Sequence, residues 1–337
     1  MSRVLLLFGG RSAEHEISCV SAVAIQQALN AAGYDVTPVG IDREGGWHLA
    51  DPTDDPFVAR GPSVEIAVPG GHLVGSDVDY DVVFPVLHGP YGEDGTIQGA
   101  LEMAGVPYVG CGVLASAAAM HKDIAKRLLT HAGIPTAPWS MVSADAFGAD
   151  PAGTVARLTA ELGGSVFVKP NELGSSVGVN PATTEAELKD ALEEALRHGS
   201  SAIVEEAIKG REIEVAVLDG PKASLPGEVL SANEWYDYEA KYVNEESRFQ
   251  VPAPLDDAQT ASVRGLACQA FTALECRGLA RVDFFFEQGG RGFLINEVNT
   301  MPGFTPISGF PSMWEASGMS YPELCRALVE AALADRP

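Results

Sequence analysis

The 337-residue chain has neither a long apolar run nor a pattern of paired cysteines. Its apolar runs stay well short of the ~18 residues that a membrane helix requires, and the stretch Val4–Phe8 is too short for the apolar region of a signal peptide. There are five cysteines, at Cys19, Cys111, Cys268, Cys276 and Cys325. Their odd number, wide spacing and lack of a C-x-x-C pair exclude a disulfide framework and a cysteine zinc site. We therefore expect no membrane association, and reduced thiols in the cytoplasm.

Positive charge is scarce as well. The chain has 22 Lys and Arg against 46 Asp and Glu, which gives a formal net charge of −24. This balance argues against binding to nucleic acid or to an anionic membrane, because both carry dense negative charge. An anionic substrate must then be held by local cations. The sequence also has no G-x-G-x-x-G motif and no P-loop, so it supports neither a nicotinamide cofactor nor a P-loop nucleotide site.

The composition is that of a soluble globular enzyme, with 46% hydrophobic and 20% charged residues. The length predicts two or three domains. The chain begins with a buried strand over 4–8, a helix over 15–32 that Gly33 ends, and a second strand over 34–41. Strand, helix and strand in this order predict a parallel sheet and an α/β fold. We divide the chain into three domains, over 1–118, 119–208 and 209–337.

The rest of the chain continues to alternate strands and helices. Strands are predicted over 81–87, 165–169, 202–206 and 212–218, and helices over 94–104, 121–131, 185–197, 259–274 and 321–334. Residues 42–80 show no clear period, and the long polar segment 232–254 has the composition of a lid or a disordered loop. A hairpin is predicted where runs starting at Arg281 and Leu294 flank a glycine-rich break.

Charged residues interrupt both apolar strands of this hairpin. Arg281 and Asp283 share one face of the first strand, and Glu297 and Asn299 share one face of the second. Charge in such strands is costly unless it is paired or bound to a metal. Two carboxylates and an amide oxygen that meet across the hairpin would suit Mg²⁺. The alternative is a structural ion pair between Arg281 and Asp283 at a strand end.

A loop rich in glycine and serine, Lys169–Gly178, follows the strand predicted over 165–169. Glycines let backbone N–H groups approach phosphate oxygens, and Ser175 and Ser176 add hydroxyl donors. Lys169 supplies a cation. The loop therefore fits a phosphate site, and the alternative is an ordinary turn.

Two further loops follow strands of the predicted parallel sheet, at the edge where such sheets bind ligands. The run His88–Gly99 fits a ligand loop, but Asp94 could instead cap the next helix and His88 could be a structural histidine. Glu14 precedes the first helix. Its carboxylate either faces a ligand ammonium group or complements the helix dipole.

Two polar segments each have a functional and a structural interpretation. Glu205–Glu212 begins at a strand end whose free backbone groups suit an adenine ring, or it is a charged linker between domains. Tyr236–Tyr242 contains three tyrosines, a lysine and acidic residues. It either folds over a polar substrate and excludes water, or it is a mobile surface loop.

Together these segments resemble the D-alanine–D-alanine ligases of the ATP-grasp superfamily. The motifs that carry the resemblance occur in the family's order along nearly the whole chain, at His88–Gly99, Lys169–Gly178, Tyr236–Tyr242, Arg281–Asp283 and Asn296–Gly303. The resemblance implies an α/β, ATP-grasp fold. Its N-terminal parallel-sheet (preATP-grasp) domain would bind substrate, and two ATP-grasp subdomains, small and C-terminal, would hold ATP between their sheets.

The resemblance also implies a reaction. ATP-dependent ligation of two D-alanines would yield D-alanyl-D-alanine through a D-alanyl phosphate intermediate, for synthesis of a peptidoglycan precursor. The implied cofactors are ATP and two Mg²⁺, with Mn²⁺ as a substitute, and the implied assembly is a homodimer formed through the apolar first domain. The alternatives are a ligase of D-alanine with D-lactate or D-serine, and a catalytically idle nucleotide-binding sensor.

Individual site residues follow from the same resemblance. The metal ligands would be Asp283, Glu297 and Asn299. The nucleotide contacts would come from Lys122, Lys169, Lys241, Ser175 and Ser176 at the phosphates, Glu205 and the Ile208 backbone at the adenine, and Glu212 at the ribose. Glu206 is a departure, because many relatives have Lys there beside the adenine.

The substrate and catalytic residues are implied in the same way. Glu14 would hold the ammonium group of the first D-alanine with His88 nearby, Ser308 and Lys241 would bind the second carboxylate, and Arg281 with the Gly303 N–H would stabilise the tetrahedral oxyanion. Glu14, Ser175 and Tyr242 would form a hydrogen-bonded set that latches the lid. The presence of Tyr242 favours an amine nucleophile over D-lactate.

Overall fold

The computed structural model describes residues 2–174, 177–230 and 248–334. Within these ranges the chain forms three larger β-sheets and one two-stranded sheet. None of the helices in the described ranges combines the length and the apolar character needed to cross a membrane.

The first part of the chain builds the first sheet. Its elements are β1 (Arg3–Gly9), α1 (His15–Ala31), β2 (Asp35–Ile41), β3 (Trp47–Leu49), β4 (Glu65–Ile66), β5 (Leu73–Val74), β6 (Val82–Pro85), α2 (Thr96–Ala104) and α3 (Val113–Met120). The first sheet has the order β3-β2-β1-β6, and β1 is parallel to β2 and β6. The two short strands β4 and β5 pair with each other.

The apolar run of β1 explains its central place in the first sheet. Leu5 and Leu7 enter one hydrophobic cluster, whereas Val4, Leu6 and Phe8 enter another that includes residues of α1. Burial on both faces is typical of a parallel strand.

Just after α1, Gly33 has φ +90°, a left-handed conformation that favours glycine, so the predicted helix stop is confirmed.

The middle part of the chain builds the second sheet, which is antiparallel. Its elements are α4 (Lys122–His131), β7 (Trp139–Ser143), α5 (Ala144–Ala149), α6 (Pro151–Leu162), β8 (Val166–Pro170), β9 (Asn180–Ala182), α7 (Glu185–Ala195) and β10 (Ser201–Glu206). The strand order is β7-β10-β8-β9. Val166, Val168 and Val204 pack with Leu158 of α6 and Leu192 of α7, so the opposite face of this sheet is free of the core.

The last part of the chain builds the third sheet, which is also antiparallel. Its elements are β11 (Arg211–Leu218), β12 (Lys222–Ala223), β13 (Gly227–Leu230), β14 (Arg248–Gln250), α8 (Asp257–Ala273), β15 (Leu279–Glu287), β16 (Gly292–Asn299), α9 (Gly309–Ala316) and α10 (Tyr321–Ala334). The strand order is β14-β13-β11-β15-β16, with β12 on β11. Ile213, Val215, Val282 and Phe284 pack in one core cluster with Phe271 of α8.

The predicted pattern of elements is largely confirmed, including the hairpin of β15 and β16. The predicted strands correspond to β1, β2, β6, β8, β10 and β11, and the predicted helices to α1, α2, α4, α7, α8 and α10. The helix predicted from residue 94 begins at Thr96, because Gly95 has φ +90°. The division into three domains stays a prediction.

Several short elements were missed by the sequence reasoning, including α5, α6, α9 and the strands within residues 42–80. The start of α6 carries a readable signal, since Asp150 accepts a hydrogen bond from the Gly153 N–H at 2.9 Å and Pro151 occupies the first turn. The short strands β3, β4 and β5 have two or three residues each, too few for a period to be recognised.

Candidate active site

The second and third sheets face each other across a cleft, and Val168 of the second sheet and Val282 of the third point away from it into separate hydrophobic clusters. On the second sheet, Phe167, Lys169 and Glu205 lie on the face opposite the buried Val168 and Val204. Across the cleft, the Lys169 Nζ donates a hydrogen bond to the Asn296 Oδ1 of β16 at 3.1 Å. A single lysine therefore spans the two sheets.

Three carboxylates form a row across the third sheet. Glu214 of β11 pairs in register with Asp283 of β15, and Asp283 pairs with Glu297 of β16. Residues directly opposite each other in antiparallel strands have Cβ atoms about 4.5–5.5 Å apart, and like charges there destabilise the sheet. This carboxylate row (Glu214, Asp283 and Glu297) is therefore stable only beside cations.

A β-bulge places an additional polar side chain beside the carboxylate row. Asp283 pairs with Glu297, but the next residue, Phe284, pairs with Ile295. Asn296 is therefore the extra residue of the bulge and has no register partner on β15. Asn296 and Glu297 are both half-buried, whereas Ile295 is in the core. Two successive side chains of β16 therefore face the cleft, and the first of them reaches Lys169.

Arg281 is the cation that lies next to the carboxylate row. Its Nε and Nη2 donate to the two oxygens of Asp283, both at 2.7 Å, and its Nε lies 3.3 Å from the Glu214 Oε2. Burial opposes the charge on Arg281, but the two carboxylates outweigh this effect and raise its pKa. The structural ion pair that the sequence left open is therefore present. The Asn299 Nδ2 also donates to Asp283, at 2.9 Å.

Glu205 lies between two lysines on the other side of the cleft. Its Oε1 is 2.7 Å from the Lys126 Nζ, and its Oε2 is 2.6 Å from the Lys169 Nζ. Burial favours the neutral carboxyl group, but the two ammonium charges outweigh it and lower the pKa of Glu205 to about 2. Glu205 is therefore ionised at every physiological pH.

Lys126 was missed by the sequence reasoning. It lies one helical turn after Lys122, on the same side of α4 as the buried Asp123 and Leu129. A charged residue within the buried face of a helix was the available signal, because such a residue needs a partner.

The loop after β6 brings the first sheet to the same region. The His88 Nδ1 lies 2.9 Å from the Met301 carbonyl oxygen, and Glu93 accepts hydrogen bonds from the N–H groups of Gly89 at 2.7 Å and Met301 at 3.1 Å. Burial and the negative charge of Glu14 raise the pKa of Glu93 to about 8. Glu14, Glu93 and His88 are thus brought together with the segment that follows β16.

Other predicted site residues line or border the cleft. Glu212 shares a small cavity with Asp283, Asn296 and Glu297. Lys122 begins α4 and donates its Nζ to the Leu173 carbonyl oxygen, at the start of the glycine- and serine-rich loop. Ile208 follows β10 in the segment that leads to β11.

The segment after β16 holds the last two predicted residues, Gly303 and Ser308. The Ser308 Oγ accepts a hydrogen bond from the Thr305 N–H at 3.1 Å and lies 2.7 Å from the Thr305 hydroxyl, which closes a turn ahead of α9. A Cβ added at Gly303 would lie 3.3 Å from the Ser308 Oγ. The two residues are therefore neighbours, as the predicted site requires.

Four predicted site residues lie outside the described residues. They are Ser175, Ser176, Lys241 and Tyr242, together with the rest of the segment Tyr236–Tyr242.

Glu206 at the end of β10, the residue that departs from the family pattern, belongs to an ion cluster. Arg291 donates to both oxygens of Glu206, at 2.9 and 2.8 Å, and also to Glu287, at 2.7 and 2.8 Å. Glu206 is thereby tied to the third sheet, and it shares Arg291 with Glu287.

Comparison with known proteins gives matches along most of the chain. A family model described as D-ala D-ala ligase N-terminus matches residues 3–111, and one described as D-ala D-ala ligase C-terminus matches residues 128–330. A Streptomyces avermitilis protein named D-alanine--D-alanine ligase is 46% identical over 98% of this chain and 94% of its own length.

Solved structures agree with these matches. The D-alanine-D-alanine ligase from Coxiella burnetii has a TM-score of 0.86 at 38% identity, and the match covers 100% of this chain and 96% of that one. The VanG D-Ala:D-Ser ligase from Enterococcus faecalis also has a TM-score of 0.86, at 33% identity, with 98% of this chain and 99% of that one covered.

Because Glu205 lies between two lysines, we predict that Glu205→Gln lowers the free energy of unfolding by an amount that depends on pH. At pH 7 this change leaves Lys126 and Lys169 without their carboxylate, so the free energy of unfolding should fall by about 3–5 kcal/mol. The folded-state pKa, about 2, lies below the ordinary 4.5. The wild-type advantage is therefore complete above pH 4.5 and shrinks as the pH falls toward 2. Urea unfolding from pH 3 to 7 measures both effects.

The control is Glu161→Gln, which removes an exposed ion pair with Arg157. It should change the free energy of unfolding by less than about 1 kcal/mol. A Glu205→Gln variant as stable as wild type at pH 7, or a difference that grows as the pH falls, would contradict the assignment.

Proposed function

This chain belongs to the D-alanine–D-alanine ligase family, and from that premise we propose how its residues carry out the reaction. The reaction joins two D-alanines to D-alanyl-D-alanine through a D-alanyl phosphate, with consumption of ATP, and supplies a peptidoglycan precursor. The resemblance read from the sequence and the ATP-grasp fold class are both confirmed. The binding of ATP, Mg²⁺ and each D-alanine at particular residues is the proposal.

The observation that carries the proposal is the meeting of cations and carboxylates across the cleft. Lys169 reaches from the second sheet to β16 of the third, beside the carboxylate row. Transfer of a phosphoryl group depends mostly on positioning and on electrostatic stabilisation. Lys169 and Lys122 supply cations for the phosphates, and Glu205 and the Ile208 backbone lie at the strand end proposed for the adenine. Glu212 is proposed for the ribose.

Asp283, Glu297 and Asn299 fit a pair of Mg²⁺ ions, or Mn²⁺. Asp283 and Glu297 are register partners, and the Asn299 Nδ2 donates a hydrogen bond to Asp283 at 2.9 Å, so the three side chains share one patch. Among the described residues, no three His, Cys, Asp or Glu side chains are grouped to hold a metal, and the proposed ligand set consists of two carboxylates and one amide. Bound Mg²⁺ would neutralise charge on the phosphates.

Arg281 and the N–H of Gly303 are proposed to stabilise the tetrahedral oxyanion. Arg281 is held rigidly by the two hydrogen bonds to Asp283, and its raised pKa keeps it charged. Preorganised donors of this kind need little rearrangement during the reaction. Glu214, which the sequence reasoning missed, adds a second carboxylate that holds Arg281 in place.

Glu14 is proposed to bind the ammonium group of the first D-alanine. Burial and the negative charge of Glu14 raise the pKa of the neighbouring Glu93 to about 8, which places the two carboxyl groups close together in this pocket. His88 lies at the same loop, held by Met301. Ser308 and Lys241 are proposed for the second carboxylate, and Ser175 and Tyr242 for the set that latches the lid with Glu14.

The homodimer is also proposed, with its interface on the first domain. Val20, Met103 and Leu114 there are 48%, 70% and 61% exposed, and these are large apolar side chains that an interface would cover. Light scattering of the purified 35.4-kDa chain should give about twice that mass. A monomer at micromolar concentration would contradict the proposal.

The function is tested by phosphate release from Mg·ATP with D-alanine alone, and with D-alanine plus D-lactate or D-serine. Mass analysis identifies the product. D-alanyl-D-alanine should form from D-alanine alone and should remain the main product in the mixtures. Preferential formation of a depsipeptide or of a D-alanine–D-serine product would move the chain to the alternative acceptors. ATP binding without any phosphate release would favour an idle sensor.

The metal assignment predicts that Glu297→Gln lowers kcat by about 10²–10³-fold, the range seen when one stabilising group of a transition state is lost. Glu297 is half-buried and outside the core clusters, so the melting temperature should change little. Steady-state kinetics at varied Mg²⁺ and a thermal melt measure the two effects. Glu193→Gln, on the exposed face of α7, is the control and should retain full activity. Wild-type turnover by Glu297→Gln would remove this residue from the metal site.

A further inference from the structure

Lys126 is a buried lysine to which the reaction described above gives no role. Its side chain is 3% exposed, and its Nζ lies 2.7 Å from the Glu205 Oε1. The same ammonium group lies 5.7 Å from the centre of the Trp139 ring. Burial of a lysine at this depth is costly, and it is tolerated when a carboxylate and an aromatic face compensate for lost water.

The surroundings of Lys126 hold it in place. Trp139 is fixed to α4 through a hydrogen bond from its Nε1 to Asp123 at 2.9 Å. The Asp123 N–H in turn donates to the Asn171 Oδ1 at 3.1 Å. Lys126 therefore belongs to a closed network between α4 and the second sheet, away from the solvent of the cleft.

Lys169 also pairs with Glu205, but its side chain lies in a different environment from that of Lys126. Its side chain is 13% exposed, it faces the cleft, and it contacts Asn296 on the opposite sheet as well as Glu205. The two lysines thus give Glu205 two positive charges for one negative charge. One of the two can leave Glu205 without leaving a buried carboxylate unpaired, and Lys169, which faces the cleft, is the one able to do so.

We propose that Lys126 is a positioning residue, a fixed counter-ion of Glu205 that frees Lys169 to bind nucleotide phosphate. The inference rests on the proposed function, since it takes the phosphates to lie at Lys169 and the adenine at Glu205. When Lys169 turns to the phosphates, Lys126 keeps Glu205 ionised and correctly oriented as an acceptor for the adenine amino group. Without Lys126, Lys169 is the one cation paired with Glu205 among the described residues, and phosphate binding must break that pair.

The test is the affinity of Lys126→Met for Mg·ATP and for adenosine, measured by calorimetry. The Kd for Mg·ATP should rise about 10- to 100-fold, the range expected when a hydrogen bond to a charged group is lost. The Kd for adenosine should change less than about threefold, because adenosine has no phosphate to compete for Lys169. Equal weakening of both ligands would mean that Lys126 only supports the shape of the pocket, and unchanged affinity for Mg·ATP would also overturn the proposal.

A second variant separates charge from packing. Lys126→Met/Glu205→Gln removes both the fixed cation and the carboxylate that competes for Lys169, so the ratio of the Kd for Mg·ATP to the Kd for adenosine should fall back toward the wild-type ratio. A purely structural role predicts that this ratio is the same in the double variant as in Lys126→Met. Lys189→Met removes an exposed lysine that pairs with Glu193 and should leave both affinities unchanged.

The wild-type measurements distinguish this inference from the proposed function. If wild-type protein binds Mg·ATP and forms product but Lys126→Met does so equally well, only the role of Lys126 is wrong. If wild-type protein binds no Mg·ATP, the nucleotide site itself is wrong.

Discussion

Repulsion among carboxylates in the cleft is the constraint on which the rest of the site depends. Glu214, Asp283 and Glu297 occupy directly opposite positions on three neighbouring strands, where like charges oppose pairing. Arg281 and Asn299 contact Asp283 from the same sheet, and Lys169 approaches from the other. The carboxylates of the cleft thus require neighbouring cations, and the proposed nucleotide site depends on lysines and metal ions for the matching positive charge.

Neighbouring groups also control the charge of buried carboxyl groups at the edges of the site. Two lysines lower the pKa of Glu205, whereas burial and the negative charge of Glu14 raise the pKa of Glu93. Glu93 and His88 also bind the backbone of Met301, so the loop after β6 and the segment after β16 are joined.

Much of this site could be predicted from the chain, and the omissions have a common cause. Arg281, Asp283 and Glu297 stand out because they interrupt apolar strands. Glu214 interrupts β11 in the same way, and Lys126 interrupts a buried helix face, so both carried a signal that was not used. Glu93 carried none, because its raised pKa arises from burial beside Glu14 and contact with Met301, a residue 208 positions further along the chain.

The sequence by itself determined the elements, the faces of the strands and the family, because these depend on local periodicity and on motifs in a given order. Only the tertiary structure decided the partners: that Glu205 lies between Lys126 and Lys169, that a bulge turns Asn296 toward the cleft, and that Asp283 is held by Arg281. Distances between charges, and hence their pKa values, depend on strand register and on the packing of separate sheets. The spacing of residues along one segment encodes neither the strand register nor the packing of separate sheets.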